Sequence, residues 1–314
     1  MAQEETSRAP GKSRAPGKSR APGKSRAPGK SPAPEKLPVP EHSTIGRVVA
    51  VMSGKGGVGK STVAALLAAT LARDGHRVGV LDADITGPSI PRLFGVKAMA
   101  APVGFGIIPA RTPSGIQIMS LNLLLPREDD PVIWRGPLIS GAVRQFWTDV
   151  VWGDLDYLVV DLPPGTGDAP LTVLQSLPVD GIVFVTSPQD LAAMVVRKAV
   201  RMARLLKVPI AGLVENMTSF RCPECGRETP VFGARRAGEL FASLDLRVLG
   251  SLPLDPALSE LGDRGDIERY EAPFLRAVPS LLDGLARAEA TAETHGPARA
   301  ETTAEKTKGR CLER

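Results

Sequence analysis

Short apolar runs recur through the middle of the chain, each bounded by glycine, proline or acidic residues. Arg47 to Met52 (RVVAVM), Arg77 to Leu81 (RVGVL), Asp156 to Asp161 (DYLVVD), Gly181 to Thr186 (GIVFVT), Ile210 to Asn216 (IAGLVEN) and Arg247 to Gly250 are of this kind. Valine-rich runs of this length without polar alternation suit strands buried on both faces. Gly106 to Pro109 and Gly115 to Leu121 read as further strands around the turn Thr112-Pro113-Ser114-Gly115. Longer segments between them read as helices: from Ser61 or Thr62 onward, about Leu138 to Val150, about Asp190 to Leu206, about Ala234 to Leu244, and roughly Pro273 to Ala290. Strands alternating with helices over short connections predict an α/β domain, a mostly parallel doubly wound sheet with helices on both faces. The ordered span runs from about His42 to Ala290 as a single domain, flanked by tails at 1–41 and 291–314.

Composition narrows the function classes. Hydrophobic residues make up 43% of the 314, enough for a substantial core, while aromatics reach only 4%. So few aromatics argue against a reader of nucleic acid that works by base stacking. No apolar run approaches the ~20 residues of a membrane span, and the N-terminus lacks the apolar stretch of a secretory signal. Three cysteines do not form a disulfide framework, and a reducing cytoplasm fits best.

The net charge of +5 belongs to one segment. Residues 7–30 are four copies of Ser-Arg-Ala-Pro-Gly-Lys, followed by a degenerate Ser-Pro-Ala-Pro-Glu-Lys. Without these hexamers the chain is mildly acidic. Rich in Pro, Gly and Ser and almost free of large apolar residues, the repeat cannot bury a core and is expected to be a disordered tail. It reads as a solvated tether, or else as an electrostatic arm toward nucleic acid or an anionic membrane surface. Its Gly-Lys-Ser fragments mimic the end of a phosphate loop, but no strand precedes them and no helix follows.

The densest chemistry lies between the first strand and the first helix. Gly54-Lys55-Gly56-Gly57-Val58-Gly59-Lys60-Ser61 fits the phosphate-loop pattern G-x-x-x-x-G-K-[ST], with Thr62 next in the helix. The glycines let successive backbone N–H groups turn inward around a phosphate, and the helix N-terminus adds its own free N–H groups. Lys60 would reach the outer phosphates and the Ser61 hydroxyl would ligate Mg²⁺. Two later strands end in acids. Asp82-Ala83-Asp84 follows the second strand, where ligands bind in open α/β sheets, so Asp84 is a candidate to orient or deprotonate an attacking water, with Asp82 beside it. Asp161 closes DYLVVD and precedes Leu162-Pro163-Pro164-Gly165-Thr166-Gly167-Asp168; it would hold Mg²⁺, and the loop could rearrange on hydrolysis. Arg135, beside Gly136, could touch a phosphate or form a surface ion pair.

Cys222-Pro223-Glu224-Cys225-Gly226 is a second constellation. One C-x-x-C pair is half a site, because tetrahedral zinc or an iron–sulfur cluster wants four ligands. No second pair exists, and Cys311 stands alone near the C-terminus. The pair could hold a cluster or a zinc ion shared by two subunits, act as a redox couple, or do nothing.

Taken in order, the second lysine in the loop (Lys55), DADITGPS at 82–89, DLPPGTGD at 161–168, Asn216 at a strand end and the CPECG loop resemble the Mrp/ApbC iron–sulfur cluster carriers. These belong with MinD, ParA and the nitrogenase iron protein to the deviant phosphate-loop NTPases. The resemblance covers about His42 to Ala290. It implies a homodimeric ATPase in which Lys55 reaches across the interface to the partner's nucleotide and Asp84 faces the γ-phosphate. It also implies that Asn216 recognises the adenine edge and that the loop at Ser251 to Pro256 borders the base. Cys222 and Cys225 of two subunits would bridge a [4Fe–4S] cluster for transfer to apoproteins. The basic repeat departs from the family pattern. The rival reading is a ParA/MinD-like positioning ATPase whose basic tail binds DNA or anionic lipid.

Overall fold

The structure is a computed structural model that describes residues 36–38, 42–85, 87–125, 136–232 and 244–294. The basic repeat apart from Lys36, Arg135, all but the last residue of the helix expected over about Ala234 to Leu244, and the chain beyond Thr294 lie outside the described residues.

Eight strands form one sheet. In chain order they are β1 (Ser43–Ser53), β2 (Val78–Asp82), β5 (Ala110–Arg111), β6 (Gln117–Met119), β7 (Gly153–Asp161), β8 (Gly181–Thr186), β9 (Ile210–Glu215) and β12 (Val248–Ser251). Across the sheet the order is β12-β9-β8-β1-β7-β2-β6-β5. Every pairing is parallel except β5 with β6, which closes one edge antiparallel. The central strands carry no alternation because water reaches neither side: β2 and β8 are buried at every position, and β1 from Val48 onward. Two small hairpins stand outside the sheet, β3 (Ala101–Val103) with β4 (Gly106–Ile108), and β10 (Ser219–Arg221) with β11 (Glu228–Pro230).

The helices are α1 (Lys60–Arg73), α2 (Ile90–Leu93), α3 (Gly136–Thr148), α4 (Asp168–Ser176), α5 (Asp190–Leu205), α6 (Pro256–Arg264) and α7 (Val278–Thr294). Helix α1 packs on β1, β2 and β7 and is covered in turn by α2 and by the 3-10 turns at Ile267–Arg269 and Pro273–Ala277. Enclosed on all sides, it is buried from Val63 to Leu71, and small alanines let the layers approach. The last helix begins at Val278, after a 3-10 turn, and continues to Thr294 rather than ending at Ala290.

Two helices depart from the sequence expectation. Helix α4 follows directly on the DLPPGTGD loop and has Pro170 in its first turn, where a missing N–H costs nothing. Helix α6 opens with Pro256 behind Asp255, whose side chain accepts from the Ala257 N–H at 2.9 Å. It ends at Gly265, φ 79°, packed on the backbone of Gly95. A Cβ at 265 would overlap Gly95 and force a left-handed side-chain residue. Gly265→Ala is expected to cost about 1–3 kcal/mol, read as a lowered Tm in a thermal melt.

Candidate nucleotide site and cysteine hairpin

The loop 54–59 joins the C-terminal end of β1 to α1 at the carboxyl edge of the sheet. Gly57 and Gly59 have φ values of 77° and 80°, a region that L side chains enter only under strain. Gly54 is needed for a different reason: a Cβ there would sit 2.9 Å from the Val195 backbone, so glycine lets α5 close on the loop. Gly59 is the N-cap of α1, and its own Cβ would overlap the Asn216 Nδ2.

Lys60 is buried beneath this loop. Its Nζ lies 2.6 Å from Asp161 Oδ1, 3.3 Å from Ser61 Oγ and 3.7 Å from Asp84 Oδ2. The strand register brings the acids together: Asp161, at the end of β7, pairs with Val51 of β1 on one side and Asp82 of β2 on the other. Burial pushes the Asp161 carboxyl up from its ordinary range, and Lys60 pulls it back. Its Oδ2 is buried with no hydrogen-bond partner. An orphaned carboxylate oxygen beside a serine hydroxyl fits the oxygen donors a hard cation such as Mg²⁺ takes.

The two acids of 82–84 divide their work. Asp82 is fully buried, its carboxyl pushed up to about 8 by burial first and by the neighbouring Asp161 second. It accepts from the N–H groups of Asp84, Ser89 and Ile90 and from Ser120 Oγ, at 3.1–3.2 Å. Asp82 therefore holds the 84–90 turn and the start of α2 in place, and Asp84 is the acid that faces Lys60. The other loop lysine, Lys55, donates to Gln189 Oε1 of its own chain.

Beside the loop is a cavity of about 270 Å³ lined by Gly59, Thr62, Asn216, Pro253, Leu254 and Leu258, among others. Pro253 to Asp255 of the Ser251 to Pro256 loop thus come beside the phosphate loop, and Leu258 of α6 adds an apolar wall. Asn216 is buried, and both ends of its amide are engaged by the protein. Nδ2 donates to Val58 O and Oδ1 accepts from Met217 N, each at 2.9 Å.

Cys222 and Cys225 sit on the loop of the β10–β11 hairpin, which the sequence reading missed. Three-residue strands leave too little pattern to recognise, although the Cys-Pro…Cys-Gly punctuation marked the turn. Cys222 N–H donates to Arg227 O at 3.0 Å and Gly226 N–H returns to Cys222 O at 2.9 Å, with Gly226 at φ 68°. An Arg221–Glu228 ion pair at 2.8 Å closes the base. Both thiols are free, Cys225 exposed and Cys222 half-buried. Backbone N–H groups of Cys225 and Glu224 aimed at the Cys222 sulfur hold its pKa below the usual thiol range. Such a thiol is readied as a thiolate ligand. Among the described residues no group of three or more His, Cys, Asp or Glu could hold a metal ion. The hairpin is rimmed by Phe220, Val231, Phe232 and Leu254, each 38–45% exposed.

A mostly parallel sheet with a glycine-rich loop, a buried loop lysine and strand-end acids is the architecture of a phosphate-loop NTPase. The family model of the NUBPL iron-transfer P-loop NTPases matches residues 44–284, and the chain belongs to that family. An iron–sulfur cluster carrier protein of Methanocaldococcus jannaschii is 50% identical over 228 residues, covering 71% of this chain and 78% of that protein. One from Clostridium perfringens is 45% identical over 239 residues, covering 74% and 84%. Among solved structures, a nucleotide-binding protein from Archaeoglobus fulgidus in complex with ADP aligns with a TM-score of 0.67 at 47% identity, over 75% of this chain and 93% of that one. The cell-division ATPase MinD of Pyrococcus furiosus, at 20% identity and a TM-score of 0.52 over 77% of this chain and 99% of its own, shares the fold. No helix among the described residues is long and apolar enough to cross a membrane.

Proposed function

We propose that the chain is a homodimeric, ATP-hydrolysing carrier that assembles an iron–sulfur cluster and transfers it to apoproteins, in a reducing compartment such as the cytoplasm. One observation carries this reading: a C-x-x-C hairpin with a readied thiol, rimmed by exposed apolar side chains and offering, among the described residues, only half a cluster site. Two copies, each giving Cys222 and Cys225, complete four thiolates for a [4Fe–4S] cargo.

In this reading Gly54, Gly56, Gly57, Val58 and Gly59 direct backbone N–H groups at the phosphates. Lys60 leaves Asp161 for the β/γ-phosphate oxygens, and Thr62 and Asn216 border the base. Ser61 and Asp161 would hold Mg²⁺, which supplies charge neutralisation between the outer phosphates. Asp84 orients the water that attacks the γ-phosphorus; the bond to the β,γ-bridging oxygen breaks, ADP leaves with that oxygen, and the water's oxygen and protons depart with the inorganic phosphate. Lys55 exchanges Gln189 for the partner's nucleotide, which ties hydrolysis to pairing. The Asp161 to Asp168 loop then registers the lost phosphate.

Anaerobic reconstitution with ferrous iron and sulfide tests this. A visible absorption band, about four irons per dimer, and a dimeric elution position are expected. Colourless protein that instead binds DNA or anionic vesicles through residues 1–36 would replace this reading with a positioning ATPase.

A further inference from the structure

We propose that Asn216 is the mechanical link between the phosphate loop and the cysteine hairpin, a positioning residue that reports nucleotide occupancy to Cys222. The inference takes its trigger from the nucleotide reading above and does not depend on what Cys222 binds.

A peptide unit is planar, with its N–H and C=O on opposite sides. In a phosphate-binding loop the N–H groups turn toward the anion. For the Val58–Gly59 peptide that leaves the Val58 carbonyl on the outside, and it is this oxygen that accepts from Asn216 Nδ2 at 2.9 Å. The amide reaches it because position 59 has no side chain: a Cβ there would overlap Nδ2. A phosphate that pulls on the Gly59 N–H tilts the whole plane, and the carbonyl carries that tilt to Asn216.

The other end of the amide holds the residue that leads toward the hairpin. Oδ1 accepts from Met217 N–H at 2.9 Å. Met217 has φ 60°, a left-handed conformation that a side-chain residue holds only under strain. The Asn216 side chain is thus one of the bonds that hold this reversal. From Met217 the chain is tied on both sides, by Thr218 N–H to Leu252 O at 3.1 Å and by Leu254 N–H to Ser219 O at 2.6 Å, and then enters β10 and Cys222. Leu254 also lines the cavity beside the loop. No long wire is needed: a buried amide holds the nucleotide loop with one end and the root of the thiol hairpin with the other.

The test is the alkylation rate of Cys222 in the full-length chain, followed by iodoacetamide labelling and mass spectrometry, without nucleotide and with saturating ADP·Mg²⁺. Nucleotide is expected to change the wild-type rate by about fivefold or more, the usual scale of coupling between sites. Asn216→Asp keeps an acceptor for Met217 N–H but replaces the donor to Val58 O. With occupancy confirmed by equilibrium dialysis, its ratio is expected to fall close to one. A purely structural role would lower the Tm and leave the ratio intact. Should Asn216→Asp not fold or fill, Met217→Gly, which relaxes the left-handed residue, carries the test and is expected to shrink the ratio. A wild-type ratio of one, or a full ratio retained in whichever variant is read, overturns the proposal. Protein that takes up no iron yet keeps a nucleotide-dependent rate sinks the carrier reading and leaves this one standing.

Discussion

Replacing both Cys222 and Cys225 with serine is expected to abolish cluster uptake. Reconstituted protein should lose its visible absorption and hold iron only at background, while the thermal melt stays within about 0.5 kcal/mol of wild type, as for most surface changes. The separation follows from where the thiols sit. Cys225 is exposed, Cys222 is half-buried, and the two strands of the hairpin are joined by backbone bonds and the Arg221–Glu228 pair. Serine keeps the shape but is a hard, weakly acidic oxygen where iron wants a thiolate. The single variants should differ in kinetics. Cys222, held below the usual thiol range, should alkylate faster near neutral pH than Cys225, and Cys225→Ser should leave the Cys222 rate largely unchanged, because the backbone N–H groups of residues 225 and 224 that stabilise its thiolate remain. Equal rates at the two sulfurs would show that the N–H groups aimed at Cys222 do not activate it.

The parts of the site that were legible in the sequence are those whose geometry is local. Four glycines between a valine strand and an alanine helix can form little but a cradle, and the left-handed φ values at Gly57 and Gly59 follow from it. Asp161 was legible because an acid ending a run buried on both faces must sit at the sheet's carboxyl edge. What stayed hidden depends on contacts across the fold. Asp82 and Asp84 look alike along the chain; only the turn back to Ser89, Ile90 and Ser120 assigns Asp82 to scaffolding. Asn216 at a strand end pointed to the site but not to Val58, because the carbonyl it meets lies 158 residues away in the chain. Helices α4 and α6 were obscured by prolines that belong to their first turns rather than to loops. The β10–β11 hairpin offers three residues a side, too few for a period of two to register.

Lys60→Ala is expected to lower nucleotide hydrolysis by about 10²–10³ or more, the loss typical when one preorganised charge contact to a transition state is removed, measured as phosphate release at saturating ATP·Mg²⁺. Its effect on stability should carry a pH signature. Lys60 is the cation that faces a buried carboxylate at Asp161 and stands near Asp84 and Asp82. Burial already raises the folded-state pKa of Asp161 and Asp82, and Lys60 opposes the rise in both. Without it both rise further. A carboxyl whose folded pKa lies above its unfolded value binds more protons in the folded state, so its contribution is retained at low pH and lost as pH climbs through the folded value. The variant should therefore melt close to wild type near pH 5 and fall behind by roughly 3 kcal/mol near pH 8, the cost of leaving a buried charge unpartnered. Added Mg²⁺ should recover part of the loss at pH 8 by taking over as counter-charge at Asp161, with no gain in turnover. A deficit independent of pH would mean that Lys60 acts through packing rather than charge.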